Sequence, residues 1–197
     1  VNFLVELFEK CSSSDWLWFE DVLSYCNAKL PHALLECGPP MSDDRITQIG
    51  LDTLEWLTAI QTSDQGYFLP IGNSGFYSRG KQRARFDQQP IEAYATVSAC
   101  IGAYDITGDE KWRKEARKAF DWFLGRNDLN LPLYDPRTGG CRDGLHPDRL
   151  NQNEGAESTI AFLISLMEIS SMEQLGPPPS AEPAQEPAQR EALAETP

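Results

Sequence analysis

Three stretches of the chain set acids and amides at the mouth of an apolar helical segment: "DWLWFEDVLSYCNAKLP" (15–31), "RFDQQPIEAYATVSA" (85–99) and "NQNEGAESTIAFL" (151–163). Carboxylates used in pairs do acid–base work, one protonating a leaving oxygen while the other activates water or attacks carbon. Helix N-termini favour anions, because their first N–H groups lack intrahelical partners and carry partial positive charge. Three such termini meeting at one end of a helical barrel would form a cleft lined with carboxylates and amides. That cleft suits a sugar, whose hydroxyls pair with Asp, Glu, Asn and Gln and whose apolar faces stack on aromatic rings. The candidate catalytic pair is Asp87 and Glu157, with Glu20 or Asp143 as substitutes. Gln88, Gln89, Asn153, Asp143 and Arg79 would hold hydroxyls, and Trp18 would offer a stacking platform.

Plain helix capping explains part of the same pattern. Asp15 fits an N-cap, Asn151 with Glu154 fits an N-x-x-E capping pattern, and Gln89 precedes a proline suited to a first helical turn. Glu92 falls in that first turn, where the helix dipole favours its charge. Asp87 and Gln88 are left without a capping duty. Trp16, Trp18, Phe19 and Tyr25 recur at helical spacing, which makes core packing their default role. No cofactor or metal is expected. The chain has only His32 and His146, "DPRTGGCRDGLHPDRLNQNEG" lacks the spaced acids of a calcium loop, and "GNSG" lacks the Lys-Ser/Thr of a phosphate loop.

The elements that must position these groups are helical. Apolar periodicity predicts helices over 2–10, 16–37 (divided by Pro31), 43–62, 90–106, 108–124 and 155–171. The 90–106 segment is apolar on all sides and reads as buried. The 108–124 segment opens on a Thr107–Glu110 capping box, carries a Trp112, Ala116, Phe120 stripe and ends at Gly125. The last helix is expected to turn Ile160, Leu163, Ile164 and Met167 inward. Between helices, 63–89 and 126–154 are long polar segments of the kind that carry function, with one short hairpin expected around "GYFLPIGNSGFY". The class is all-α, with a folded unit of 1–172 and a disordered Pro/Ala/Glu-rich tail over 173–197.

A net charge of −13 argues against a nucleic-acid partner, since phosphate binding depends on clustered Lys and Arg. No apolar run is long enough to span a membrane. Five widely spaced cysteines without a C-x-x-C read as reduced thiols in the cytoplasm. The chain opens as "VNFLVELFEK", already inside a helical pattern, with no initiator Met and no signal peptide, and reads as a fragment of a longer protein.

"WLWFEDVLSYCNAKLPHALL", "PIGNSGFYSRG", "RFDQQPIEAYA", "WFLGRNDLNLPLYDPRTGGCRDGL" and "NQNEGAESTIAFL" together resemble a helical domain of bacterial and archaeal carbohydrate-active proteins. That domain belongs to the six-hairpin glycosidase-like superfamily and often follows a glycosyltransferase of the two-Rossmann type. The resemblance covers about 10–170 and implies an (α/α) toroid, a carbohydrate ligand and a glycosyltransferase partner. Six or seven helices would supply about half of a six-hairpin ring, hence a partial toroid. The family pattern usually has Asp where this chain has Cys26 in "LSYCNAKLP", a lost carboxylate if that position lines the site. Two functional readings follow: a glycoside hydrolase-like domain working through two carboxylates, and a non-catalytic module that binds glycan or scaffolds the glycosyltransferase.

Overall fold

A computed structural model describes residues 1–175. The disorder expected of the tail falls almost entirely on residues outside that range, while the final helix continues to Leu175, past the expected boundary at 172. Six helices carry the fold: α1 (Asn2–Cys11), α2 (Lys29–Met41), α3 (Asp44–Ile60), α4 (Pro90–Thr107), α5 (Glu110–Asp121) and α6 (Ala156–Leu175). Two minimal antiparallel ribbons tie the loops, β1 (Val22–Leu23) with β2 (Tyr77–Ser78) and β3 (Tyr134–Asp135) with β4 (Gly140–Cys141).

Helix α4 is the centre of the packing and lies against α2 on one flank, α6 on the other, and α5 behind. Its nearly continuous burial, from Pro90 to Tyr104, follows from an apolar composition that leaves no face for water. Helices α3 and α5 form the second layer, packed on α2 and α4 respectively. Helix α5 is one-sided: Trp112, Ala116, Ala119 and Phe120 are buried while its Lys and Arg residues face outward. Gly102 lets α2 approach α4, since a methyl there would stand 3.3 Å from the His32 ring.

The helix starts differ from expectation in an instructive way. The predicted 16–37 helix begins only at Lys29. Residues 12–28 form a folded loop instead, because Arg79 reaches across it to the Cys11 carbonyl and Ser13 hydroxyl and because β1 pairs with β2. Pro31 sits in the first turn of α2, where its missing N–H has no duty. Asp15 therefore caps no helix and accepts from the Ser13 hydroxyl at 2.6 Å. Asp43 caps α3 through Arg45 and Ile46 N–H, and Asp109, rather than Thr107, caps α5 through Lys111 N–H. Gln89 occupies the α4 N-cap position without a side-chain bond to the helix. Asn151 turns the chain onto Asn153 N–H well before α6 begins, so the N-x-x-E capping pattern is not formed. Within "GYFLPIGNSGFY", Phe68 bridges antiparallel to Thr62 just upstream, and the last tyrosine pairs with distant β1.

The last helix is rotated relative to expectation. Ala161, Phe162, Ser165, Ile169 and Met172 face the core, and Phe162 stacks on Tyr134 with ring centres 4.4 Å apart. Ile160, Leu163 and Met167 are exposed, Met167 by 70%. The aromatic ring of Phe162, not the aliphatic run beside it, decides which face goes inward, because rings bring the larger contact area.

Candidate functional site

The segments before α2, α4 and α6 come together at one end of the α2–α4–α6 row. Tyr25 Oη donates to Glu157 Oε1 at 2.9 Å, joining the loop before α2 to the first turn of α6. Glu92, in the first turn of α4, accepts from the backbone N–H groups of Cys26 and Asn27 and from Asn27 Nδ2, the last at 3.1 Å. Gln88 and Leu145 exchange both backbone hydrogen bonds, which ties the start of α4 to the loop that leads into α6. Asp143 closes that loop by accepting from Gly155 N–H at 2.7 Å and from Asn153 Nδ2. Gly155 has no room for a side chain, as a methyl there would lie 2.7 Å from Asp143 Oδ1.

Asp87 and Glu157 keep solvent access at this end. Glu157 is exposed, and the Asp87 carboxylate is 40% exposed and hydrogen-bonded to His146 Nδ1. The other candidates are arranged differently. Gln88 is fully buried: its amide donates to Asp128 and to the Arg85 carbonyl and accepts from Trp122 Nε1 at 2.9 Å, leaving nothing for a ligand. Trp18 is also enclosed, 1% exposed between Phe19 and Trp56, so no sugar ring reaches its face. Arg79 is engaged with Cys11, Ser13, Asp15 and Asp21 and serves to hold the 11–21 loop. Glu20 is exposed on that loop and makes no contact with Asp87 or Glu157 among the described residues. Asn153 is exposed and bonded to Asp143, and Gln89 is half-buried beside Gln88.

Tyr25, Tyr94, Asn27 and His146 belong to this end as well, although no local pattern in the sequence marks them as site residues. Tyr25 is 50% exposed, and half-buried Tyr94 carries Lys29 Nζ 4.3 Å over its ring. A helix over 16–37 gives Tyr25 a core position; only the true helix start at Lys29 places it in a loop. Burial, then the Glu157 carboxylate, pushes the Tyr25 hydroxyl up to about 12, so it stays a hydrogen-bond donor. Cys26 lies in the left-handed region at φ 54°, where Asp and Asn are better tolerated than Cys. Burial, then Glu92, pushes its thiol up to about 11, which leaves it protonated and unreactive at neutral pH.

No protein-family model and no curated protein matches this chain. A search of solved structures finds an inactive variant, with two aspartates changed to asparagine, of the α-1,6-mannanase GH76A of Salegentibacter sp. HEL1_6 in complex with α-1,6-mannotriose. The likeness covers 86% of this chain at a TM-score of 0.56 and 15% identity, and this chain spans 52% of that enzyme's chain. The fold is therefore that of an α/α toroid, represented among the described residues by six helices that make up part of a ring.

Proposed function

We propose that this chain is a glycoside hydrolase-like helical domain that takes a glycan at the end of the α2–α4–α6 row. The observation that carries the reading is the convergence of three N-terminal segments, drawn together by Tyr25–Glu157 and by Asn27–Glu92. Asp87, bonded to His146, and Glu157, bonded to half-exposed Tyr25, both remain open to solvent, and carboxylates with an exposed ring suit sugar hydroxyls and a sugar face. Asn153 and Gln89 stand at the same end as hydroxyl partners, and a mannose-containing oligosaccharide is the first ligand to try. Five free thiols favour a cytoplasmic setting.

Isothermal titration with α-1,6-mannotriose and a panel of neutral oligosaccharides tests binding. At least one glycan should bind, and Asp87→Asn and Glu157→Gln should each weaken it about tenfold, the loss of one or two charge-assisted hydrogen bonds. No binding across the panel at millimolar glycan would overturn the reading. Reducing-end release measured on the bound glycan separates hydrolysis from binding alone. Binding without release favours the second reading, a glycan-binding or scaffolding module associated with a glycosyltransferase. Cys26, at a position where the resembling family has Asp, supports that second reading.

A further inference from the structure

A cavity of about 310 Å³ opens between the loop after α3 and the segment that leads to Asp87. Its wall is mostly polar, with Ser63, Gln65 and Tyr67 from the loop and Arg83 and Arg85 from the segment. That volume is at the small end of ligand sites, which run to about 1,000 Å³, and suits one sugar residue rather than a chain of them.

The two arginines differ in what they bond. Arg85 gives Nε and Nη2 to Asp128, whose carboxylate also accepts from Tyr67 Oη and Gln88 Nε2. The Asp128 charge is thereby spent within the fold. Arg83 is half-buried and, among the described residues, has no ion pair and no side-chain hydrogen bond. Burial works against its charge, and Tyr77, Asp128 and Asp64 offset that cost only in part. Asp64 is exposed at the cavity wall and forms no ion pair with Arg83. A cation partly withdrawn from water calls for an acceptor.

Unused donors accumulate in the same place. The Ser63 hydroxyl accepts from Tyr67 N–H at 3.1 Å and keeps its own hydrogen free. Arg85 keeps Nη1, and among the described residues the exposed Gln65 amide is unbonded and Arg83 keeps its whole guanidinium fork. An occupant must bring acceptors, and an anion meets the charge as well as the hydrogens.

We propose that this cavity binds the carboxylate of an acidic sugar, a uronate, with Arg83 as its principal partner. A planar carboxylate matches the guanidinium fork, which can hold both oxygens at once. Arg85 Nη1 and Ser63 Oγ supply further donors. The inference deepens the glycan-site reading and rests on it: Arg85 stands two residues before Asp87, so their Cα atoms lie within about 7 Å. One oligosaccharide can reach both, and its charged residue adds to the contacts made at the α2–α4–α6 end.

The test is a titration of the full chain in mildly acidic buffer, followed through the Arg83 Nε–H resonance by NMR. The probes are glucuronate and mannuronate, with glucose and mannose as neutral counterparts and acetate and inorganic phosphate as anions without a sugar ring. At least one uronate should shift the Arg83 resonance saturably. Its Kd should lie about tenfold or more below those of its neutral sugar, acetate and phosphate, as a charge-assisted pair on a fitted ring requires. Arg83→Gln should weaken that uronate about tenfold in calorimetry. No saturable shift with either uronate would overturn the proposal, as would a neutral sugar, acetate or phosphate that binds as well, or an unchanged affinity in Arg83→Gln. The native titration decides the matter even if the variant does not fold. Mannotriose and the neutral panel report on the α2–α4–α6 end. Their failure would remove the proposed function and leave a uronate result at Arg83 standing, while failure here leaves neutral-glycan binding untouched.

Discussion

Asp128 is the residue on which the most buried hydrogen bonds of the 85–89 motif depend. Its carboxylate accepts from Tyr67 Oη, from Arg85 Nε and Nη2, and from Gln88 Nε2 at 2.6 Å. Burial works against this charge, yet the Arg85, Tyr67 and Gln88 donors outweigh it and hold the carboxyl below its usual range. A depressed carboxyl stabilises the fold above its unfolded value near 3.8, and that contribution disappears as pH falls through and below it. Asp128→Ala should cost about 2 kcal/mol in urea unfolding at neutral pH, because Gln88 and Tyr67 lose a buried acceptor. The gap between native chain and variant should close as the pH is lowered below about 4. Nothing in "GRNDLN" announces that a loop acid 40 residues downstream fills the space beneath Gln88. Partner choice at that distance is a property of the packed loops.

Helices are legible where one strong local signal dominates. Helix α4 starts at Pro90, as its fixed φ and missing N–H predict, and ends at left-handed Gly108. Helix α3 matches its expected span closely because Asp43 supplies a real cap. The helix expected over 16–37 rests on aromatic spacing and on Asp15 as its cap: Trp16, Trp18 and Phe19 are all buried, but from a loop that turns between them, and Asp15 caps nothing. Periodicity records which residues are buried and cannot tell a helix from an irregular segment whose rings happen to fall at helical intervals. For α5, Thr107 and Asp109 compete for the cap, and the geometry chooses Asp109 while Glu110 pairs with Arg113. Asp109→Ala should therefore lower stability by about 1 kcal/mol, as loss of an N-cap does, a shift readable in the thermal midpoint. An unchanged midpoint would argue for a cap elsewhere.

At the scale of the whole molecule, the α2–α4–α6 row is covered on the α4 side and, among the described residues, bare on the far side of α6. Ile160, Leu163 and Met167 recur at i, i+3 and i+7 on that bare side, with Leu166 exposed next to them. A stripe of this kind promotes association in water. Leu163→Glu combined with Met167→Lys should reduce self-association in sedimentation velocity. The unfolding free energy should move by less than about 0.5 kcal/mol, as expected for surface positions. A large loss of stability would mean that these side chains are part of the core after all. Among the described residues no helix is long and apolar enough to cross a membrane.

Taken by itself, the sequence determined the all-α class, the buried central helix and the gathering of polar residues ahead of three helices. These are consequences of local physics: apolar periodicity and proline at a first turn. Tertiary structure decided which of the gathered polar residues stay open to solvent. Gln88 was consumed by Trp122 and Asp128, Trp18 by the core and Arg79 by the loop it clamps, while Tyr25 was released to the surface beside Glu157. In "RFDQQPIEA", Asp87 keeps solvent access, and Glu92 turns inward to hold Asn27, 65 residues earlier in the chain. Residue type sets what a side chain can bond. Only the distances between packed segments decide what it does bond, because a buried donor or acceptor must be satisfied by whatever the fold brings within reach.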